Sequence, residues 1–363
     1  MSASDADGLP ERLDASGLPK RLDTDGQPER FDGAAPSDPL GAVPPPGQLD
    51  DDGLSDRLDA DGRPERLDTS DLPQQLDIDG LVARLGLPGL VDVHTHFMPQ
   101  NVLEKVWAYF DAVGPLTGIS WPITYREEEE RRLALLRGFG VVAFTAMLYP
   151  HKPGMAAWLN SWAADFAART PDCLHTATLF PEPDADAYVH QALDAGARVF
   201  KVHLQVGDFD PNLPELDGAW GALEDSGTPV VVHCGSGPSP GRFTGPGPMG
   251  RLLARYPRLR AIVAHMGMPE YGDFLDLAQR YEGVHLDTTM AFTDFSERLA
   301  PFPGAERARL VDLGDRILLG SDFPNIPYPY GHQLHALERL GLGDDWLRRV
   351  LYENGAALFH VKP

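Results

Sequence analysis

The chain has 363 residues, of which 42% are hydrophobic and 23% are charged, a balance typical of a soluble protein with a substantial core. Its formal net charge of −23 argues against duplex DNA and anionic membrane surfaces as partners. The two cysteines, Cys173 and Cys234, are too few for a disulfide framework and fit a reducing compartment. Because the sequence contains neither a secretory leader pattern nor an apolar run of about 20 residues, we expect a cytoplasmic protein.

The chain begins with acidic nine-residue repeats. Residues 1–80 contain 20 acidic and 7 basic side chains, and the units run from "DADGLPERL" at Asp5 to "DIDGLVARL" at Asp77. A proline in most units disfavours a solenoid, and the D-x-D-G fragment lacks the downstream glutamate of a calcium-binding loop. We predict that residues 1–81 are an acidic nonapeptide-repeat extension that is disordered. Short turns that touch the following domain remain an alternative.

Residues 82–363 have a different pattern, in which short apolar runs alternate with amphipathic segments. Near-continuous apolar strands between helices are typical of a parallel sheet covered on both faces. Eight such units predict an α/β fold, a (β/α)8 TIM barrel. An open doubly wound sheet is the alternative, but no glycine-rich fingerprint follows the first strand. The predicted strands are residues 89–96, 141–148, 173–180, 197–204, 229–234, 260–265, 284–289 and 316–323. The predicted helices are Glu127–Arg137, Met155–Arg169, Ala185–Ala195, Glu215–Ser226, Met249–Tyr256, Tyr271–Tyr281, Ala305–Leu313 and His332–Leu340.

Ionisable side chains stand where most of the predicted strands end. His94 and His96 are two positions apart at the end of the first strand, so their side chains share one face. His233, His265 and Asp322 end later strands, and the carboxyl ends of barrel strands form one rim, where barrel enzymes carry their active sites. Imidazole nitrogens and carboxylate oxygens together suit zinc and similar divalent ions. The pattern therefore predicts a catalytic metal site at this rim.

Four motifs in this order resemble the amidohydrolase superfamily: "DVHTH", "VVVHCG", "IVAHMG" and "LLGSDFP". The resemblance spans roughly residues 88–360, and it is strongest to the amidohydrolase-related branch that includes aminocarboxymuconate-semialdehyde and resorcylate decarboxylases. It implies metal ligation by His94, His96, His233 and Asp322. It also implies that His265 is a catalytic imidazole without a metal and that Asp322 takes a proton from the attacking water.

The resemblance leaves the number of metal ions open, and Lys201 is the residue on which that number depends. In binuclear members of the superfamily a carboxylated lysine on the fourth strand bridges two metals. The branch resembled here often carries a similar Lys-x-His without carboxylation, as in Lys201 and His203. We therefore expect one divalent ion, with Zn²⁺ favoured and with Mn²⁺ or a binuclear site as alternatives.

Substrate contacts are expected from Lys201, His203, Arg242 and Trp121. Arg242 lies in the loop after the fifth strand, where a guanidinium can hold a substrate carboxylate, although a solvent-facing loop arginine is an equally good interpretation. The partner we expect is a small-molecule substrate, with no nucleic acid and no membrane. A homodimer is compatible with the sequence.

Three functions compete at this stage. The leading hypothesis is metal-dependent hydrolysis of a C–N or C–O bond next to a carbonyl, with Asp322 and His265 as catalytic residues. The main rival is non-oxidative decarboxylation of an aromatic or unsaturated acid on the same cluster. The third is a non-catalytic protein that acts through its repeats, which would make those repeats indispensable.

Overall fold

The computed structural model describes residues 77–117 and 120–362. The predicted disordered extension lies outside the described residues, except for residues 77–81. No helix in the described ranges combines the length and hydropathy needed to cross a membrane.

Short parallel strands form the centre of the molecule. The pairing order is β1-β2-β3 in one segment and β4 to β9 in the other, and β3 and β4 are two pieces of the third predicted strand, separated by His175. The ring closes where the Val93 N–H donates to the carbonyl of Leu319 at 2.9 Å. All eight predicted strand positions are confirmed, and the sheet is a (β/α)8 barrel rather than an open sheet. The strands are β1 (Leu90–Asp92), β2 (Val141–Thr145), β3 (Cys173–Leu174), β4 (Thr176–Thr178), β5 (Val199–His203), β6 (Val230–His233), β7 (Ala261–Val263), β8 (Val284–Asp287) and β9 (Ile317–Leu318).

The lower interior of the barrel is apolar. Inward-facing strand residues such as Val199 and Val231 form one buried cluster with Tyr352 and Phe359 from the C-terminal helices. Because side chains alternate along a strand, Lys201 and His233, two positions further on, point into the same interior one layer higher. The polar site therefore rests on a floor of packed hydrocarbon.

Helices surround the barrel, and all eight predicted helices are confirmed with small shifts at their ends. The fifth predicted helix, Met249–Tyr256, begins earlier, at Pro246, because proline is tolerated in the first turn, where its missing N–H has no partner in any helix. Six further helices were not predicted, and in the bounds that follow they are α1, α2, α6, α10, α13 and α14. The bounds are α1 (Ile78–Leu85), α2 (Gln100–Thr117), α3 (Glu129–Gly138), α4 (Ala156–Arg169), α5 (Ala185–Asp194), α6 (Leu204–Gly207), α7 (Asp217–Ser226), α8 (Pro246–Arg255), α9 (Tyr271–Arg280), α10 (Asp294–Leu299), α11 (Arg307–Asp312), α12 (Gly331–Arg339), α13 (Asp344–Arg348) and α14 (Asn354–Leu358). Single turns of 3-10 helix lie at Pro214–Leu216, Ala264–Gly267 and Gly304–Glu306, and a π turn at Arg349–Glu353.

Helix α1 is formed by the last repeat unit and crosses the predicted domain boundary between residues 81 and 82. The side chain of Asp77 caps it by accepting the Gly80 N–H at 2.9 Å, and Gly86 ends it with a φ of 65°. Leu81 and Leu85 are buried in the main core cluster. This unit of the repeat is therefore part of the folded domain.

Candidate metal centre and active site

Three predicted ligands converge at the carboxyl end of the barrel. One ligand atom each from His94, His96 and Asp322 lies within 4.8 Å of the other two, and all three side chains are buried. The Nε2 atom of His96 is 2.8 Å from Asp322 Oδ1, and that of His94 is 3.6 Å from the same oxygen. The main chain brings them together, because the Asp322 N–H donates to the carbonyl of His94 at 2.8 Å.

The second nitrogen of each of these two rings is engaged away from the cluster. His96 Nδ1 lies 2.9 Å from the carbonyl oxygen of Met147, which can only accept, so the proton of a neutral ring sits on Nδ1. His94 Nδ1 lies 2.9 Å from Oδ2 of Asp287. His94 Nε2 therefore presents a lone pair toward Asp322, whereas His96 Nε2 donates to the Asp322 carboxylate and would bind a metal only after losing that proton. Outer hydrogen bonds of this kind orient metal-binding histidines in proteins.

Lys201 supplies the cation at the cluster. Its Nζ is 3.1 Å from His94 Nε2, and an ammonium can only donate, which independently places a lone pair on that nitrogen. Complete burial lowers the pKa of Lys201 to about 8, although Asp287 and Asp322 oppose the shift. Burial, with the nearby charge of Lys201, also holds the pKa of His94 well below its ordinary value, so this ring is neutral.

Asp322 is held as an ionised carboxylate. Burial alone would raise its pKa, but the electrostatic attraction and hydrogen bond of His96 outweigh burial and hold the pKa below the usual range. Its backbone has a φ of 74°, in the left-handed region that non-glycine residues seldom adopt. Sparsely populated backbone conformations of this kind cluster at functional sites, where the surrounding structure holds them.

His265 lies next to the cluster without joining it. Its ring centroid is 4.9 Å from that of His94 and 4.7 Å from that of His233, and its backbone φ is 94°. Burial, reinforced by the nearby Lys201 ammonium, lowers the pKa of His265 to about 3, so the imidazole is neutral. This position suits the predicted role of an imidazole that does not bind the metal.

His233 is outside the three-residue group, and its predicted metal ligation stays a prediction. Its ring stacks on that of His203, with centroids 4.0 Å apart, and its Nε2 lies 3.2 Å from the carbonyl oxygen of Gly237. That contact leaves Nδ1 of a neutral ring with the lone pair. His203 Nδ1 accepts the N–H of Val206 at 3.3 Å.

The other two predicted substrate residues differ in position. Arg242 is exposed, and its guanidinium lies over the ring of Phe243 at 4.9 Å. Trp121 is buried in an aromatic wall, where its Nε1–H donates to the carbonyl of Asn325 at 2.7 Å. Neither side chain belongs to the His94 cluster.

The sequence did not reveal the roles of three residues at this site. Asp287 lies within the predicted strand 284–289, but nothing in the motif pattern connects it to His94. Tyr149 stands at the rim, with its ring centroid 4.8 Å from that of His203. Gly320 is required by close packing, since a Cβ there would overlap Thr289 Oγ1 and lie 2.9 Å from His94 Cβ. The glycine of "LLGSDFP" is the signal that marked this close approach.

The side chains of the site differ in their exposure to solvent. His94 and Lys201 are completely buried, whereas Tyr149, His203 and His233 keep part of their surface exposed.

The residues present fit a divalent ion. Two imidazole Nε2 atoms and an ionised carboxylate converge within reach of one point, and three such ligands with an open position are typical of catalytic zinc sites. The outer partners of the rings, Asp287 and the Met147 carbonyl, already hold the tautomers that a metal needs.

Comparison with known proteins decides the family. The family model described as Amidohydrolase matches residues 91–361. The chain belongs to the amidohydrolase family. This confirms the resemblance inferred from the four motifs. None of the curated protein sequences compared with the chain matches it significantly.

Three solved structures illustrate the fold that this amidohydrolase shares with other proteins. An uncharacterised TIM-barrel protein from Bordetella bronchiseptica is 19% identical with a TM-score of 0.61, covering 75% of this chain and 98% of that one. The 2,6-dihydroxybenzoate decarboxylase from Rhizobium is 19% identical with a TM-score of 0.55, and the match covers 76% of this chain and 99% of the decarboxylase. A putative 2-pyrone-4,6-dicarboxylic acid hydrolase from Pseudomonas putida is 17% identical with a TM-score of 0.51, covering 76% and 99%. At these identities the likeness establishes the barrel fold alone.

Proposed function

We propose that this amidohydrolase uses one divalent ion, held by His94, His96 and Asp322, to hydrolyse a C–N or C–O bond next to a carbonyl. The observation that carries the proposal is the convergence of two ring nitrogens and one carboxylate on a single point. When bound there, the ion supplies Lewis acidity, which lowers the pKa of a water from about 15.7 toward 7. His233 is the proposed fourth ligand, since its Nε2 contact with Gly237 leaves Nδ1 free to bind.

Asp322 is the proposed proton shuttle. Because His96 and its neighbours keep the pKa of this carboxyl low, it is ionised at neutral pH and ready to accept a proton from the attacking water. It then delivers that proton to the nitrogen or oxygen that leaves. The buried position of Asp322 keeps competing bulk water away from this transfer.

Lys201 and His265 are proposed to act on the substrate carbonyl. The Lys201 ammonium lies beside His94 in a buried layer, where a positive charge stabilises the oxyanion that develops as the carbonyl is attacked. His265 is neutral, so its ring N–H orients or polarises the carbonyl without carrying charge.

Non-oxidative decarboxylation is the second candidate, favoured by the ammonium of Lys201, which can hold a substrate carboxylate. It needs a proton donor to carbon, and the low pKa of His265 leaves its ring almost entirely unprotonated at neutral pH, so little imidazolium is present to donate. Arg242, the other predicted clamp, is exposed and stacked on Phe243. Hydrolysis therefore agrees better with the charges of the site.

The test begins with metal analysis of the purified protein, followed by a screen of lactones, amides and hydroxybenzoates. We expect chelation to abolish turnover and added Zn²⁺ or Mn²⁺ to restore it. Release of carbon dioxide from a hydroxybenzoate, without any hydrolysis in the screen, would replace the first proposal by the second.

Asp322→Asn tests the proton shuttle directly. Its amide oxygen can still bind the metal, but it cannot accept a proton, so we expect most of the metal to remain and turnover to fall roughly 100-fold or more. The surface variant Asp225→Asn removes the same charge far from any buried cluster and should keep wild-type turnover. Wild-type turnover in Asp322→Asn would rule out the shuttle.

A further inference from the structure

A second buried carboxylate touches the cluster without facing its centre. Asp287, at the end of β8, is completely buried and accepts from three directions. Its Oδ2 lies 2.9 Å from His94 Nδ1, while its Oδ1 accepts the backbone N–H groups of His265 at 3.0 Å and of Thr289 at 3.1 Å. The Asp287 side chain is thus hydrogen-bonded to residues that follow β1, β7 and β8.

We propose that Asp287 is a positioning residue that determines which nitrogen of His94 carries the proton, and with it the ability of His94 to bind a metal. The inference deepens the proposed function and rests on it for its biological purpose. Its chemical basis is separate, because it concerns the tautomer of a ring in the protein's own hydrogen-bond network.

The two oxygens of Asp287 are not interchangeable. Backbone N–H groups can only donate, so the atom that faces His265 and Thr289 must be an acceptor. Oδ2 is left for His94, and it accepts the Nδ1–H of that ring. His94 Nε2 then keeps its lone pair, in agreement with its contact to the Lys201 ammonium.

This asymmetry predicts an unusual effect for Asp287→Asn. The amide oxygen must stay against the two backbone donors, since turning the amide would place an NH2 group against two N–H groups. The NH2 group therefore faces His94 Nδ1, which has to become an acceptor. The ring proton moves to Nε2, and the nitrogen that faced Asp322 and Lys201 is no longer a ligand.

Asp92 offers a matched control at the same end of the barrel. It is also a completely buried aspartate, and its Oδ1 accepts the backbone N–H of His94 at 3.1 Å. Its Oδ2 accepts the hydroxyl of Tyr330 at 2.9 Å. A hydroxyl can reverse its role and accept, so Asp92→Asn makes the same substitution at a buried aspartate without forcing a tautomer on any ring.

The experiment uses the full chain, purified with and without metal. Zn²⁺ affinity is measured by competition with a chromophoric chelator, and the His94 tautomer is read from ¹⁵N side-chain spectra of the metal-free protein. We expect an Nδ1–H tautomer in the wild type and in Asp92→Asn, and an Nε2–H tautomer in Asp287→Asn. The Zn²⁺ dissociation constant of Asp287→Asn should rise 10- to 100-fold or more, against less than threefold for Asp92→Asn.

Two results would overturn the inference: an Nδ1–H tautomer in Asp287→Asn together with unchanged Zn²⁺ affinity, or an Nε2–H tautomer in the wild type. The His94 tautomer of the wild type is measured without any variant, so the inference stays testable if Asp287→Asn fails to fold. Failure of the proposed function is a different outcome, in which the tautomers follow the prediction but the wild-type enzyme with bound metal hydrolyses nothing in the screen.

Discussion

Helix α1 provides a quantitative test of where the folded domain begins, and Leu85→Ala is the perturbation. Leu85 is 3% exposed in the last turn of α1, within the main core cluster, so truncation removes buried methyl groups and leaves a cavity. Buried Leu→Ala substitutions cost about 2–5 kcal/mol. We expect the low end, about 2–3 kcal/mol, because α1 lies at the surface of the barrel and the cost cannot exceed the free energy with which the helix docks.

Val82→Ala is the control in the same helix. Val82 is only partly buried against the core, so the loss should be about 1 kcal/mol or less. Neither substitution removes the ion pairs of Arg84 with Glu338 and Asp344. These pairs lie at the surface and contribute little to the free energy of unfolding. Urea unfolding followed by tryptophan fluorescence measures both. Equal destabilisation of the two variants would refute the packing assigned to α1.

Truncations extend the same reasoning to function. A chain that begins at Asp77 keeps the cap and the buried leucines of α1, so we expect wild-type stability and turnover. A chain that begins at Leu87 lacks α1 and should lose at least as much stability as Leu85→Ala. If the cut at Asp77 destroyed catalysis, the expectation that the repeats lie outside the catalytic domain would be wrong.

Two further predictions concern the buried polar layer. Gly320→Ala should weaken Zn²⁺ binding more than tenfold in chelator competition, because the added Cβ overlaps Thr289 Oγ1 and lies 2.9 Å from His94 Cβ; unchanged affinity would contradict the close packing. Burial raises the pKa of Asp92 to about 7, well above its unfolded value, so the metal-free fold should lose stability as the pH rises from about 4 to 7. Tyr330→Phe removes the hydroxyl that donates to this carboxylate, so its cost in urea unfolding should be larger at pH 8 than at pH 5; an equal cost at both pH values would show that Asp92 does not titrate as described.

Local patterns in the sequence predicted most of the architecture. The apolar runs and their spacing identified eight strands and eight helices, because periodicity reflects which face of each element is buried. Helix α1 escaped prediction since its unit looks like the preceding repeats. It differs from most of them in having Val82 where they carry proline, and a helix interior does not tolerate proline there.

The sequence by itself determined the barrel, the family motifs and the residue types that meet at its rim, because these depend on neighbours a few positions apart. Only the tertiary structure decided which ring nitrogens face the centre, why Asp287 matters, and that Arg242 points into solvent. Those properties arise from contacts between distant positions, such as the 193 residues that separate His94 from Asp287 and the 226 that separate His96 from Asp322. A hydrogen bond depends on the distance and direction between two atoms, and folding sets both.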